Sequence, residues 1–265
     1  MSYNSVLGPA APELGWVPAP RYLLRRDRIR RLLKNLPTGR LLEIGPGAGA
    51  LLVEFANMGF QCESIERSSE ARSLAKAFIN KFGTSVSLSE SSGADWINRF
   101  DIVCAFDVLE HIENDQEALD QWCSWLKPGG IILLSVPAHM KSWNTRDEWA
   151  GHYRRYEKAD FSELLESKNL SIDAFECYGF PLANLAEVVA AKIYRSSAFA
   201  RDNETNEERQ RGTDLSGVDR RAELKFLPFL RTLPGQFAIS FFIQMQRIFL
   251  KTDWGNGYIV KAIKR

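Results

Sequence analysis

No stretch of this 265-residue chain stays apolar for the about 20 consecutive residues that a bilayer-crossing helix needs. Residues 1–10 lack a basic segment followed by an apolar one, so no secretory leader is expected. Cysteine is scarce: Cys62, Cys104, Cys123 and Cys177 form no close pair and no metal-ligand spacing. Three of them fall in apolar, strand-like or helical runs, which reads as buried, reduced thiols in a cytoplasmic protein, with no metal expected. Net charge is only +1, so the molecule as a whole has no broad field to gather nucleic acid or an anionic membrane. No internal repeat is evident.

What is present is an ordinary globular composition, 45% apolar and 25% charged. The length suits one large domain, or one domain with an elaborate cap. Gly8, Pro9, Pro12, Gly15, Pro18 and Pro20 punctuate an irregular lead-in. A helical pattern over residues 21–35 follows and ends at Pro37-Thr38-Gly39. Beyond that turn, strands (40–44, 61–66, 85–89, 101–106, 131–136) alternate with helices (50–58, 69–82, 115–126). This alternation predicts an α/β fold with a doubly wound parallel sheet, because parallel neighbours need a crossover of this length. The period stops over 137–158, and long irregular segments inside compact domains are more often functional than idle. A helix at 159–167 and a strand at 171–178 follow. Helical stretches near 182–195 and 236–250 flank a polar segment, 201–221, and 257–264 reads as a last strand. The domain reading is an arm and basic helix over 1–37, a core domain over 38–179 and 256–265, and a helical cap over 180–255 inserted before the last strand.

Glu43 at the end of the first strand runs into Gly45-Pro46-Gly47-Ala48-Gly49 and then a helix. Glycines let the backbone turn sharply and let a ligand lie against the main chain, while the helix N-terminus beyond offers unpaired N–H groups. The loop suits a nucleoside-bearing ligand, but alone it is ambiguous. Gly45-x-Gly47-x-x-Ala50 also fits a dinucleotide pattern, with Glu66 about 20 residues on. In either class Glu66 would accept hydrogen bonds from ribose hydroxyls; the plain alternative is a turn without a ligand. Four motifs stand in order: Glu43-x-Gly45-x-Gly47-x-Gly49, Phe100-Asp101, Asp107-Val108-Leu109-Glu110-His111, and Leu126-Lys127-Pro128-Gly129-Gly130. On these the chain, over about residues 38–178 and the final strand, resembles the class I S-adenosylmethionine-dependent methyltransferases, in particular their small-molecule (type 11/12) subgroup. The resemblance implies a seven-stranded, mostly parallel, Rossmann-like sheet with a reversed last strand. It implies S-adenosyl-L-methionine as cofactor, with Glu43, Gly45, Pro46, Gly47 and Gly49 around its methionine part. Glu66 would meet its ribose, Arg67 would be a further cofactor contact, and Asp107 and Val108 would lie beside it. The acid that such enzymes usually carry after strand three is not evident, Glu90 and Asp95 being the nearest. The Asn/Asp-Pro-Pro-Tyr/Phe pattern of amide- and base-nitrogen methylation is absent, its place taken by Ala105-Phe106-Asp107-Val108.

Methyl transfer from a sulfonium is an in-line displacement, so alignment and exclusion of water dominate. A hydroxyl or acidic-carbon acceptor also gains from a base of near-neutral pKa. The chain has three histidines, and all are candidates. His111 follows strand four and His139 follows strand five, at the sheet edge where such folds bind ligands. His152 lies in the irregular segment. For each the alternative is a bracing role. Trp143, Asp147, Tyr153, Arg154, Arg155 and Tyr156 are the candidate acceptor contacts, with Trp149 in the same segment, since arginine suits carboxylate or phosphate and aromatic rings suit a planar group. Packing of this segment onto the sheet is the alternative there.

Arg21, Arg25, Arg26, Arg28, Arg30, Arg31 and Lys34 crowd the first helix. A solvated face with internal ion pairs is expected, rather than a surface for nucleic acid or lipid. The 236–250 helix is apolar nearly all round and is expected to pack as a cap or as a contact in a homodimer, with membrane-surface association the lesser alternative. The segment 201–221 reads as a lid. Together these expectations amount to O-methylation of a small, anionic or aromatic acceptor. The rivals are an NAD(P)-dependent oxidoreductase and a non-catalytic scaffold of the same fold.

Overall fold

A computed structural model describes residues 4–196, 210, 212–214, 217, 218 and 220–265. Helix α1 (Pro20–Leu33) begins at a proline, whose missing N–H is one of the orphans of a first turn anyway. Strands β1 (Arg40–Ile44), β2 (Gln61–Ile65), β3 (Val86–Ser89), β4 (Phe100–Phe106) and β5 (Leu126–Pro137) run parallel. Helices α2 (Ala50–Asn57), α3 (Ser69–Phe82) and α4 (Asp115–Trp125) lie on the crossovers between them. After α5 (Thr145–Trp149) and α6 (Lys158–Ser167) come β6 (Leu170–Tyr178) and β7 (Gly257–Lys264). The sheet has seven strands in the order β3-β2-β1-β4-β5-β7-β6, and β7 is antiparallel to both neighbours.

β1 and β4 occupy the centre and are buried along almost their whole length, which is why they read as unbroken apolar runs. Successive residues face opposite sides: Leu41 joins Phe55, Phe78 and Ile102 on one face, while Leu42 joins Val103, Trp122 and Phe161 on the other. All four cysteines are free and buried. The Lys127-Pro128-Gly129-Gly130 turn lies inside β5 and does not precede it. Phe100 pairs with Leu126 and Ile102 with Ile131, so the four residues bulge out of register, with Gly129 at φ +74°.

Helix α1 is not a solvated face. Tyr22, Leu23, Leu24, Ile29 and Leu33 are buried, and the helix packs against the sheet and the helices that follow β6. Its charges are spent on that docking. Arg26 pairs with Glu54 of α2, Arg28 Nε with Glu176 of β6 at 2.7 Å, and Asp27 Oδ1 with Arg247 at 2.7 Å.

Between β6 and β7 the chain forms α7 (Leu182–Ser196), two single turns (Arg221–Leu224 and Leu227–Leu230) and α8 (Leu233–Phe249). Only one side of α8 is covered, including Ile239 and Gln246, whose amide donates to Leu24 O and accepts from Gly179 N. Leu233, Phe237, Phe241 and Ile248 face outward, so the helix is not buried all round. Most of the 201–221 segment expected as a lid lies outside the described residues. Among the described residues no helix is long and apolar enough to cross a membrane.

Candidate active site

β1 and β4 are neighbours at the point where strand order reverses, and the crevice beyond their carboxyl ends is where open α/β sheets take ligands. The two strand-end loops touch. Gly45 sits at φ +64°, and a Cβ there would stand 2.7 Å from Val108 Cγ2, so only glycine lets the β1 loop pass the β4 loop. Gly49, at φ +77°, starts α2 and packs against Ala75 of α3.

Two adjoining cavities share Gly45, Gly47, Asp107, His111 and Gly217. One has apolar walls of Ile65, Val108, Ile112 and Trp122, with Glu66 and Arg67 at its β2 end. Glu66 holds the glycine loop in place: its carboxylate accepts from Gly47 N and Ser68 N, each at 3.1 Å. The other cavity is ionic, lined by Arg21, Arg25, Glu43, Pro46, Glu110, Asp147, Trp149, His152 and Arg155 among others. Burial lifts the Glu43 carboxyl to about 8, and its Oε2 has no hydrogen-bond partner. Asp107, at φ +55°, is pushed upward by burial, but Arg21 and Arg25 outweigh that and hold it at about 2. Arg25 also bonds Ser135 Oγ at 3.3 Å, and Ser135 Oγ donates to Asp107 Oδ1 at 3.1 Å.

The histidine arrangement grows out of the 137–158 segment. Asn144 and Asp147 form a capping box that starts α5 and fixes Asp147 in place. Arg155 grips Asp147 with two bonds, Nε to Oδ1 at 2.9 Å and Nη2 to Oδ2 at 2.6 Å, and also pairs with Glu187 of α7. Asp147 Oδ1 lies 2.9 Å from His152 Nδ1, which leaves His152 Nε2 toward Glu110 Oε1 at 4.0 Å. His111 meets the His152 ring edge-on at 4.6 Å, and its Nδ1 is 3.2 Å from Thr213 Oγ1. Burial first, and the neighbouring His152 second, push His111 down to about 3, so it is neutral near pH 7. Glu110 is raised well above the usual carboxylate range by burial and by Asp107, and both of its side-chain oxygens lack hydrogen-bond partners. Glu110, His111 and His152 each bring a donor atom within 4.8 Å of the others, a set that can share a proton or take a divalent cation.

Of the residues expected at the cofactor, Glu43, Gly45, Pro46, Gly47, Glu66, Arg67, Asp107 and Val108 all line one cavity or the other. Gly49 does not; it shapes the turn from behind. His111 and His152 reach the cavities, but His139 does not. Its φ of +65° sets the ring against Tyr258 of β7 instead, with centroids 5.5 Å apart. Asp147 and Arg155 line the ionic cavity, whereas Trp143, Tyr153, Arg154 and Tyr156 line neither. Arg154 and Tyr156 are taken by Asp115 at the start of α4, at 2.7 and 2.8 Å, and Trp143 Nε1 donates to Glu148 at 3.3 Å. Glu90 pairs with Arg72, Asp95 pairs with Arg99, and neither acid lines a cavity. Trp149, expected beside the acceptor, also lines the ionic cavity, and the lining residues that the sequence reading did not place there include Arg21, Arg25, Arg146 and Glu187. The four-residue spacing of Arg21 and Arg25 was a signal, since it puts both on one helix face.

A family model described as a methyltransferase domain matches residues 19–174. A ubiquinone biosynthesis O-methyltransferase of Nitrobacter winogradskyi is 35% identical over 112 residues, covering 42% of this chain and 43% of that protein. The match thus spans less than half of that relative. Among solved structures, a candidate methyltransferase of Bacillus halodurans superposes with a TM-score of 0.59 at 17% identity, covering 90% of this chain and 97% of that one. Phosphoethanolamine N-methyltransferase 2 of Haemonchus contortus, solved with S-adenosyl-L-methionine, superposes at 0.58 and 17% identity, covering 94% and 54%. At such identities the structures speak to the fold.

Proposed function

The chain belongs to the methyltransferase-domain family, and on that premise we propose that it transfers the methyl group of S-adenosyl-L-methionine to a hydroxyl oxygen of a small, anionic or aromatic acceptor. The O-methyltransferase from Nitrobacter winogradskyi supports oxygen as the target. The carrying observation is the Asp147–His152 pair, which presents a ring nitrogen to the ionic cavity beside Glu43 and Asp107.

Three features fit the cofactor. The partnerless Glu43 Oε2 suits an ammonium group, Glu66 suits ribose hydroxyls, and the walls of Ile65, Val108 and Trp122 suit a purine. Bound there, the cofactor supplies an electrophilic methyl group. The chain's own work is then to orient the acceptor and take its proton. His152 Nε2 accepts the hydroxyl proton as the oxygen bonds to carbon, and Asp147 steadies the imidazolium through Nδ1. Arg155 keeps Asp147 ionised: burial alone would raise its pKa, but the His152 and Arg155 bonds hold it at about 2. Arg146 lines the same cavity and, among the described residues, its guanidinium has no partner, so it is the cation left for an acceptor anion. Trp149 supplies an aromatic wall.

The test is a panel of phenols, phenol carboxylates and amines, with S-adenosylhomocysteine formation as the readout. Turnover is expected with the hydroxyl acceptors, and His152→Gln should cut kcat about 100-fold at neutral pH without weakening S-adenosylhomocysteine binding. Turnover confined to amines would overturn the reading. The partnerless oxygens of Glu110 favour a second one, in which Glu110, His111 and His152 would hold a divalent cation that would supply Lewis acidity at the acceptor oxygen. Loss of activity on chelation, regained with Zn²⁺ in the native chain but not in His111→Gln, would select it.

A further inference from the structure

A second cluster of metal-binding side chains lies where β5 and β6 end and β7 begins. A nitrogen of His139, Cys177 Sγ and a carboxylate oxygen of Asp253 lie within 4.8 Å of one another. None of the three lines the cavities described above. His139 follows β5, Cys177 is the penultimate residue of β6, and Asp253 stands four residues before β7. Three separate pieces of chain therefore converge on one point.

The histidine carries the argument. Its side chain is only 9% exposed, its Nε2 is buried without a hydrogen-bond partner, and that nitrogen looks toward Asp253 Oδ1 at 3.8 Å. A buried ring nitrogen left unpaired is costly, so native structures rarely leave one without a ligand. The other ring nitrogen is already provided for: Nδ1 faces Tyr258 Oη at 3.4 Å and Glu157 Oε2 at 3.6 Å. Glu157 is itself fixed by Met140 N at 2.9 Å. A carboxylate behind one nitrogen and a free lone pair on the other is the arrangement that metal-binding histidines show.

We propose that His139 Nε2, Cys177 Sγ and an Asp253 carboxylate oxygen bind a zinc ion, with water as the fourth ligand. Imidazole, thiolate and carboxylate together suit a borderline-soft, tetrahedral ion rather than calcium or magnesium, which take oxygen alone. Zinc bonds of about 2.0–2.1 Å to nitrogen and oxygen hold such tetrahedral ligands roughly 3.3–3.4 Å apart, so the observed nitrogen–oxygen separation of 3.8 Å closes by a few tenths of an ångström on binding. Asp253 is about half exposed, so water can reach the fourth position, and its Oδ1 accepts from Tyr258 Oη at 2.7 Å, a bond that holds the carboxylate beside His139. Zinc takes the thiolate, so binding replaces the Cys177 S–H bond with a sulfur–metal bond and releases one proton to the solvent. The ion would tie the exit of the inserted segment to the sheet. Asn256, three residues past Asp253, lines the ionic cavity and bonds Tyr178 O and Ala138 N through its backbone.

The test is titration of the chelator-treated, reduced, full-length protein with Co²⁺, followed by competition with Zn²⁺. A near-ultraviolet thiolate-to-cobalt charge-transfer band is expected at one equivalent and should be absent in Cys177→Ser. His139→Gln and Asp253→Asn should each weaken Zn²⁺ binding at least tenfold, and the exposed position of Asp253 keeps that arm readable if the cysteine variant does not fold. Glu110, His111 and His152 contain no sulfur, so an ion there gives no such band. A missing band in the native chain, or one that survives in Cys177→Ser, overturns the proposal, as does Zn²⁺ affinity unchanged in Asp253→Asn.

Discussion

Glu43 is where protonation and ligand binding meet most directly. Desolvation, opposed only in part by Arg25, raises its folded-state pKa to about 8 from a reference of 4.5. Below pH 4.5 both folded and unfolded chains hold this proton. Between 4.5 and about 8 only the folded chain does, so its contribution to stability falls as pH rises. Glu43→Gln removes the titration. Denaturant unfolding of the ligand-free protein should therefore show the variant near the native chain at pH 4.5 and about 4 kcal/mol more stable by pH 8. Equal differences at both pH values would refute the assignment. The same variant should bind S-adenosylhomocysteine at least tenfold more weakly, because a charge-assisted bond to the ammonium is lost. Calorimetry of the native chain at pH 7 in buffers of different ionisation enthalpy should show proton release on binding, and the variant should not. Arg146 offers a second residue-level test. If it meets an acceptor anion, Arg146→Ala raises KM for a phenol carboxylate about tenfold or more, and leaves KM for the uncharged phenol nearly unchanged.

Elements explain which parts of this site were legible. β1 and β4 are covered on both faces, so their apolar runs announced a parallel sheet, and the glycine loop followed from Glu43 and the turn chemistry beside it. Gly45→Ala should show how tight that loop is: a Cβ collides with Val108 at φ +64°, and S-adenosylhomocysteine binding by calorimetry should be lost while the circular dichroism spectrum is kept. Helix α1 was harder to read, because arginines that dock a helix onto acids of distant elements look in sequence like a solvated stripe. Glu54, Asp107 and Glu176, the acids that receive them, lie far along the chain. The side chain of Glu54 is 1% exposed, so Glu54→Gln leaves Arg26 buried beside a neutral amide and should cost about 3 kcal/mol in urea unfolding. The 137–158 segment was legible as functional but not residue by residue. Which of its side chains face the cavity depends on the capping box that starts α5 and on Asp115 drawing Arg154 and Tyr156 away. His139 was misplaced for a similar reason, since a strand end at Pro137 does not reveal that the backbone turns left-handed two residues on.

At the scale of the molecule, the two cavities are walled by parts drawn from far apart along the chain. Arg21 and Arg25 come from α1, Glu43 and Glu66 from β1 and the residue after β2, and Asp107 to His111 from the loop after β4. Asp147 and His152 come from the 137–158 segment, Glu187 from α7, and Thr213 and Gly217 from the inserted stretch. Gly217 lies directly against the glycine loop, with its carbonyl oxygen 3.3 Å from where a Gly47 Cβ would stand. A ligand that spans both cavities therefore bridges the sheet, the N-terminal helix and the insertion at once. Binding of this kind should register as global stability, because anything that binds only the folded chain raises its stability by about 2.7 kcal/mol at 100 times Kd. For a chain of this size that is a rise in Tm of roughly 5–10 °C. S-adenosylhomocysteine should produce the rise, and NADH at the same concentration should not, although Gly45-x-Gly47-x-x-Ala50 followed by Glu66 satisfies the dinucleotide spacing. Glu66→Ala should abolish most of the shift, since one carboxylate both holds the glycine loop through Gly47 N and faces the ribose position. A shift with NADH and none with S-adenosylhomocysteine would mean that the cavity takes a dinucleotide, and the methyl-transfer reading would fall with it.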